Sequence, residues 1–228
     1  PAVLAVDPSS PLTGGAILGD RVRMEEASEA GAFIRSMATR GHAGGLALAV
    51  PGMVRVFDAF GFNPIIIETV GVGQVEVDVA SAADTVVVVV TSGWGDAVQA
   101  NKAGLLEIAD LFVVNKADRP GASDARRDLE LMIDLSQVTG QMSRRPEIVM
   151  TTATEGEGFD EFKKAIFEHK EFLFEGEQIS VRRSNRWKAE VSSRLDYLLS
   201  EVAKKSMEDL EEKEGSSPGL IAREMAKN

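Results

Sequence analysis

The sequence predicts an α/β fold in which a mostly parallel sheet is flanked by helices, with a C-terminal helical extension. Three observations lead there. Short, continuous, largely β-branched apolar runs recur along the chain, helical patterns separate them, and each run ends on polar or glycine residues. Continuous rather than alternating apolarity marks strands covered on both faces, and the spacing implies βαβ crossovers.

The strand runs are 2–6, 64–67, 85–90, 111–114 and 147–150. Helical patterns occupy 96–109, 123–137, 158–172 and 184–206. A further stretch, 43–60, reads as helix although Pro51 and Gly52 interrupt it. Beyond residue 173 the strand pattern stops, which divides the chain into a main domain, 1–173, and an extension, 174–228. In that extension Trp187, Val191, Leu195, Leu198, Leu199 and Val202 fall at helical spacing. Such an apolar face needs a partner, either the helix's own domain or a second copy as a dimer arm. From Lys205 onward the sequence is highly charged, with a break at Gly215-Ser216-Ser217-Pro218.

Bulk properties narrow the function. At 228 residues the chain can bury one sizeable core with an appended element. A net charge of −11 argues against a general nucleic-acid or anionic-membrane surface. With no cysteine, disulfides, thiolate metal sites and cysteine nucleophiles are excluded. The two histidines, His42 and His169, are too few for a histidine-built zinc site, and His42 has no nucleophile to serve. The apolar runs are far shorter than the roughly 20 residues that span a bilayer. A cytoplasmic location is expected. The sequence opens at Pro1, without Met, directly on a strand pattern, so the natural protein is expected to continue upstream.

In parallel α/β sheets, ligands bind outside the carboxyl ends of the strands, so the residues after each run carry the functional reading. Asn115-Lys116-Ala117-Asp118 follows Leu111-Phe112-Val113-Val114. Guanine presents a ring N–H beside an exocyclic amine, so the Asp118 carboxylate can accept twice from it, whereas adenine offers an acceptor at the ring position. The aliphatic stem of Lys116 can lie along the base, and Asn115 can brace the neighbouring loops. The bland alternative is an ordinary strand-to-turn sequence in which Asp118 opens the next helix.

Glu68-Thr69-Val70-Gly71 follows Ile65-Ile66-Ile67. A strand-end carboxylate suits Mg²⁺, and the Gly71 amide can approach a terminal phosphate with no side chain in the way. Gly71-Val72-Gly73-Gln74 then forms a candidate switch. Asp7 and Asp20 are candidates for the same Mg²⁺ shell, with a cap or turn role as the alternative for Asp7. Arg21 and Arg23 could meet phosphate oxygens or lie on a solvated face. After 85–90 come Gly93-Trp94-Gly95-Asp96, Gln99 and Lys102, either a mobile loop with an apolar handle or a tryptophan covering the core edge.

Taken together, Val-Asp-Pro-Ser-Ser (6–10), Thr-Gly-Gly-Ala-Ile-Leu-Gly-Asp (13–20), Phe-Ile-Arg-Ser-Met-Ala-Thr-Arg-Gly (33–41) and Glu-Thr-Val-Gly-Val-Gly-Gln (68–74) closely resemble the methylmalonyl-CoA-mutase-associated GTPases. These are also known as ArgK or LAO/AO transport ATPases. The resemblance runs from about residue 2 to 172 and implies a P-loop NTPase-like fold. It further implies a Mg²⁺-dependent GTP hydrolase, acting as a homodimer, that assists cofactor loading or protection in a cobalamin-dependent mutase. By the same resemblance Asp7, Asp20 and Glu68 serve the metal and the nucleotide switch. The loop containing Gly93, Asp96, Gln99 and Lys102 relays nucleotide state to the partner, with Gln74 in the switch. Thr152 and Ala153 would touch the guanine carbonyl through backbone amides.

Two departures stand out. Position 75 is Val where the family usually has Ser. No Gly-x-x-x-x-Gly-Lys-[Ser/Thr] phosphate loop occurs in the 228 residues, so the first β-loop-α unit of the fold is expected to be missing here. Without it the chain alone is expected to bind GTP weakly and not to turn it over. Two other readings compete with the chaperone GTPase. One is a non-catalytic, loop-less module that binds an acyl-CoA mutase. The other, a nickel-insertion GTPase, lacks its soft metal ligands in a chain with no Cys and two His.

Overall fold

The computed structural model describes residues 1–7, 24–38, 43–69, 80, 82–93, 102–138, 144–207, 217, 219 and 222. Its elements are β1 (Ala2–Asp7), α1 (Glu25–Glu29), β2 (Phe33–Ala38), α2 (Ala43–Ala59), β3 (Ile65–Thr69), β4 (Val87–Val90), α3 (Lys102–Ile108), β5 (Leu111–Asn115), α4 (Ala122–Val138), β6 (Glu147–Thr151), α5 (Phe159–Glu175) and α6 (Gln178–Met207). The strands pair in two three-stranded sheets, β2-β1-β3 and β4-β5-β6, and every pairing is parallel. The chain divides into two compact units, Pro1–Ser193 and Arg194–Asn228.

All five strand runs expected from the sequence form strands, and a sixth, β2, joins them. Phe33-Ile34-Arg35-Ser36-Met37-Ala38 has polar residues at its centre, as an edge strand tolerates, and among the described residues it pairs on one side only, with β1. Double-sided burial holds fully for β5, the central strand of its sheet, whose Leu111, Phe112, Val113 and Val114 are all buried. It does not hold at the other sheet edges. Ile66 on β3 is 48% exposed and Val89 on β4 is 58% exposed, and each strand has one bonded neighbour among the described residues.

Helices α4 and α5 cover opposite faces of the second sheet. Ala122, Ala125, Leu129 and Ile133 of α4 pack on Val88, Val90, Phe112 and Val114, while Ala165, Phe162 and Ile166 of α5 meet Leu111, Val149 and Val87. On the first sheet, Val50, Met53, Val54 and Phe57 of α2 pack against Leu4 and Val6 of β1 and against Ile65 and Ile67 of β3. That burial explains why α2 continues through Pro51. A mid-helix proline forfeits one backbone bond and crowds a carbonyl, a cost of about 3 kcal/mol, while burying side chains of this size gains roughly 1.5–3 kcal/mol each. Phe33, Phe57 and Phe62 form a closed aromatic triangle with centroids 5.4–5.9 Å apart, tying β2 to α2 and to the segment entering β3.

The first part of α6 is anchored by charge. Arg182 grips Asp110 with two nitrogens, at 2.7 and 2.8 Å, and also donates to the Asp84 carbonyl. Arg183 bonds the Asp84 carboxylate at 2.8 Å, and Arg186 reaches Asp84 at 3.1 Å and the Ala82 carbonyl at 2.8 Å. These contacts lie at the amino end of β4, opposite the strand exits that carry the candidate chemistry. Burial alone would raise the Asp84 carboxyl, but hydrogen bonds and charge from Arg183 and Arg186 outweigh it and lower the pKa.

Candidate nucleotide site at the strand ends

Parallel pairing brings the expected strand-exit residues to the carboxyl ends of their sheets. Asn115 ends β5 directly opposite Thr151, the last residue of β6. The half-buried Asn115 carboxamide oxygen accepts from the Thr151 hydroxyl at 3.2 Å and from the Ala153 amide at 3.1 Å. One side chain therefore fastens the exit of β5 to the exit of β6.

Lys116 adopts a left-handed conformation, φ 59°, which a residue with a Cβ rarely takes. This turns the chain so that the Ala117 amide donates to the Thr151 carbonyl at 3.0 Å and the Arg119 amide closes on the Lys116 carbonyl at 3.0 Å. The Asn-Lys-Ala-Asp sequence is thus a tight turn cross-linked to β6 on both sides of Lys116. The side chains of Lys116 and Asp118 are exposed beyond it, available to a ligand. Strain of this kind persists where surrounding bonds over-determine it, as these do.

The loop after β6 is equally closed. The Thr152 amide donates to the Glu157 carbonyl at 3.1 Å, forming an isolated antiparallel bridge, and Glu155 donates back to the Thr152 carbonyl at 3.0 Å. Both amides expected to meet a guanine carbonyl, those of Thr152 and Ala153, therefore have acceptors within the chain. Ala153 is exposed and Thr152 is buried, so of the two only Ala153 stands where a ligand oxygen could share its N–H. Gly158 closes the loop with φ 76°, and a Cβ there would come within 2.0 Å of the Met150 carbonyl oxygen, so no other residue fits.

At the other sheet, Glu68 is half-buried near the end of β3 and pairs in register with Ala5, while Asp7 is the final residue of the adjacent β1. Two carboxylate-bearing positions thus lie at the ends of neighbouring parallel strands. Carboxylate oxygens are the hard donors Mg²⁺ takes, so the residue types at these two positions fit that ion on chemistry. Among the described residues no three His, Asp or Glu side chains cluster as a metal site. Asp20, Gly71, Gln74, Asp96 and Gln99 lie outside the described residues, as do Arg21, Arg23, His42, Val75 and Trp94. Lys102 opens α3, and Gly93 sits in the turn after β4 with φ 85° and open space where a Cβ would stand. The neighbouring Ser92 approaches Gly121, the residue before α4, so the exits of β4 and β5 touch.

Sequence reasoning missed Thr151, Glu157 and Gly158 as supports of this loop. The Gly156-Glu157-Gly158 spacing ahead of α5 was the available signal. It also missed the buried His169, whose Nε2 lies 3.2 Å from Asp110 and whose Nδ1 lies 2.9 Å from the Thr85 hydroxyl. With Asp110 ionised, the Nε2–H of His169 donates to its carboxylate. This network lies at the amino ends of the strands, remote from the turn that carries Asp118.

A parallel α/β fold with its Asn-Lys-Ala-Asp turn fastened at the strand exits is that of a P-loop NTPase-like protein. The chain belongs to the family described as methylmalonyl-CoA mutase-associated GTPase MeaB, whose pattern matches residues 1–208. A Pyrococcus horikoshii protein provisionally named a GTPase is 47% identical over 212 residues, covering 92% of this chain and 67% of its own length. GTPase ArgK of Escherichia coli K12 is 37% identical over 196 residues, covering 82% of this chain and 58% of its own. The chain thus spans about three-fifths of the relatives it matches. The fold also matches a crystal structure of a LAO/AO transport system kinase, with a TM-score of 0.58 at 23% identity, over 99% of this chain and 70% of that one.

Proposed function

We propose that this chain carries the guanine-reading half of a Mg²⁺-dependent GTPase that assists a cobalamin-dependent methylmalonyl-CoA mutase or related acyl-CoA mutase. The observation that carries the reading is the Asn115 carboxamide held simultaneously by Thr151 and Ala153, which fixes the turn presenting Lys116 and Asp118. On that frame the Asp118 carboxylate accepts from the ring N–H and amine of guanine. The stem of Lys116 covers one face of the base, and the Ala153 amide meets the base carbonyl.

Asp7, Asp20 and Glu68 would hold Mg²⁺, which neutralises developing phosphate charge during hydrolysis. Glu68 and Asp20 orient that end of the site, and the Gly71 amide contacts the terminal phosphate. Gln74, Gly93, Asp96, Gln99 and Lys102 form the surface that passes nucleotide state to the mutase, and the C-terminal helix joins two copies. The family description supplies the mutase partner. No helix among the described residues is long and apolar enough to cross a membrane.

The test is Asp118→Asn in a protein that also carries a phosphate loop. Nucleotide competition should show the preference for GTP over ATP falling by about 1–3 kcal/mol, the worth of one bidentate base contact. Unchanged selectivity would remove Asp118 from the base-reading role.

A further inference from the structure

The apolar clusters keep to one sheet each. Val50 and Phe57 of α2 close over β1, with Ala82 from the segment ahead of β4 joining them, whereas α4 and α5 close over β4, β5 and β6. Helix α6 bonds to both sides. Its Arg182 holds Asp110 just ahead of β5, and Arg183 and Arg186 share Asp84 ahead of β4. Toward the first sheet, Arg186 donates to the Ala82 carbonyl at 2.8 Å, Asp58 of α2 attracts Arg183, and Arg55 of α2 meets Glu190 through two bonds of 2.8 Å. The guanidinium groups of Arg55, Arg182, Arg183 and Arg186 are thus matched by the carboxylates of Asp58, Asp84, Asp110 and Glu190.

The two ends of this net differ in shelter. The Asp110 carboxylate is 12% exposed and also receives His169 and the Val86 amide, whereas the Arg55 side chain is 59% exposed and grips one carboxylate. Water and salt screen an open pair far more than a sheltered one, so the α2 end is the one that can let go. Its bidentate geometry is what makes the open pair strong enough to close at all. The geometry points to α6 as a strap, fixed at the β4–β5 edge and latched on α2 by Arg55 and Glu190, that holds the two sheets in one relative position. By the function proposed above, one sheet carries the Mg²⁺ carboxylates Asp7 and Glu68 and the other the base-reading turn. On that reading the latch, far from either, sets the spacing between the two parts of the site.

The chain has no cysteine, so nitroxide labels can be placed at chosen positions. Phe60→Cys, just after α2, and Leu135→Cys, on α4, are exposed positions on the two sides of the strap. Double electron–electron resonance on the 228-residue chain reads their separation, and the parent should give one narrow distance distribution. Arg55→Glu, which sets two carboxylates face to face, should add a longer-distance population of about a tenth of the molecules or more. Glu190→Gln, which keeps the shape and removes the charge, should do the same, and it decides the matter if Arg55→Glu does not fold. Arg55→Lys keeps the cation and should retain the parent distribution. A pair that only adds stability would lower the melting temperature and leave the distances where they were. That outcome, or equal broadening from Arg55→Lys, would overturn the assignment. No nucleotide enters the measurement, so a failed Asp118 selectivity test leaves the strap standing.

Discussion

Asp110 shows how one carboxylate can organise an edge of a fold. It receives the Val86 amide at 2.8 Å, two Arg182 nitrogens and the buried His169. Burial pushes its pKa up, but the hydrogen bonds from His169, Arg182 and Val86, with the charge of Arg182, more than reverse this and bring it to about 2. An unfolded Asp titrates near 3.9, so the depressed value contributes stability that is full above that pH and is lost as pH falls through about 2. The contribution is about 2 kcal/mol. Asp110→Asn should lower the unfolding free energy at neutral pH by about 2–4 kcal/mol, since it strands Arg182 and His169. In urea titrations the gap from the parent protein should narrow between about pH 4 and pH 2. A gap independent of pH would mean that the carboxylate's charge is not what holds this edge.

Residue placement was legible where it depends on local sequence. Asn115, Lys116 and Asp118 announced themselves because a strand and a turn place them without help from distant segments. Thr151 and Glu157 did not, because their roles consist of bonds to residues that only the sheet brings near. His169 escaped for the same reason. On a helix, a lone histidine in an apolar face reads like any other position until Asp110 and Thr85 are seen beside it.

Among the elements, period and burial decided what could be read. The continuous runs became β1, β3, β4, β5 and β6, and helices α4 and α5 begin and end close to the expected limits. Strand β2 was invisible because its polar centre suits a one-sided edge. Helix α6 starts at Gln178 rather than 184 because its opening turns are fixed by Ile179 burial and by the arginine contacts, which no helical period encodes. Further along α6, Leu195, Leu198, Leu199 and Val202 are all more than half exposed, an apolar row spaced for a partner helix. If that row is the dimer arm proposed above, Leu195→Glu with Leu199→Glu should weaken self-association about tenfold or more without loss of helical circular dichroism. Sedimentation velocity would read the change, and a parent chain that is monomeric at high concentration would refute the arm.

For the whole molecule, the division of labour between base and phosphate recognition sets the expected behaviour. The 228 residues contain no Gly-x-x-x-x-Gly-Lys-[Ser/Thr] sequence, so the amide cradle and lysine that dominate nucleotide affinity in this class are not among them. Calorimetry on this chain should therefore show GTP binding weaker than about 1 μM and no phosphate release. Micromolar or tighter binding would mean that another loop holds the phosphates, and 13–23, outside the described residues, would be the place to look.

Asp84 has a further consequence that concerns the chain before it has folded. It immediately precedes Thr85-Val86-Val87-Val88-Val89-Val90, a segment of high β-propensity with no charge and no proline, the composition of an aggregation-prone window. A flanking carboxylate acts as a gatekeeper against self-stacking of such a segment. In the folded chain Arg183 and Arg186 neutralise that carboxylate. Its repulsion is therefore fullest during synthesis, before α6 exists, and is withdrawn once the helix that needs it as an anchor has docked.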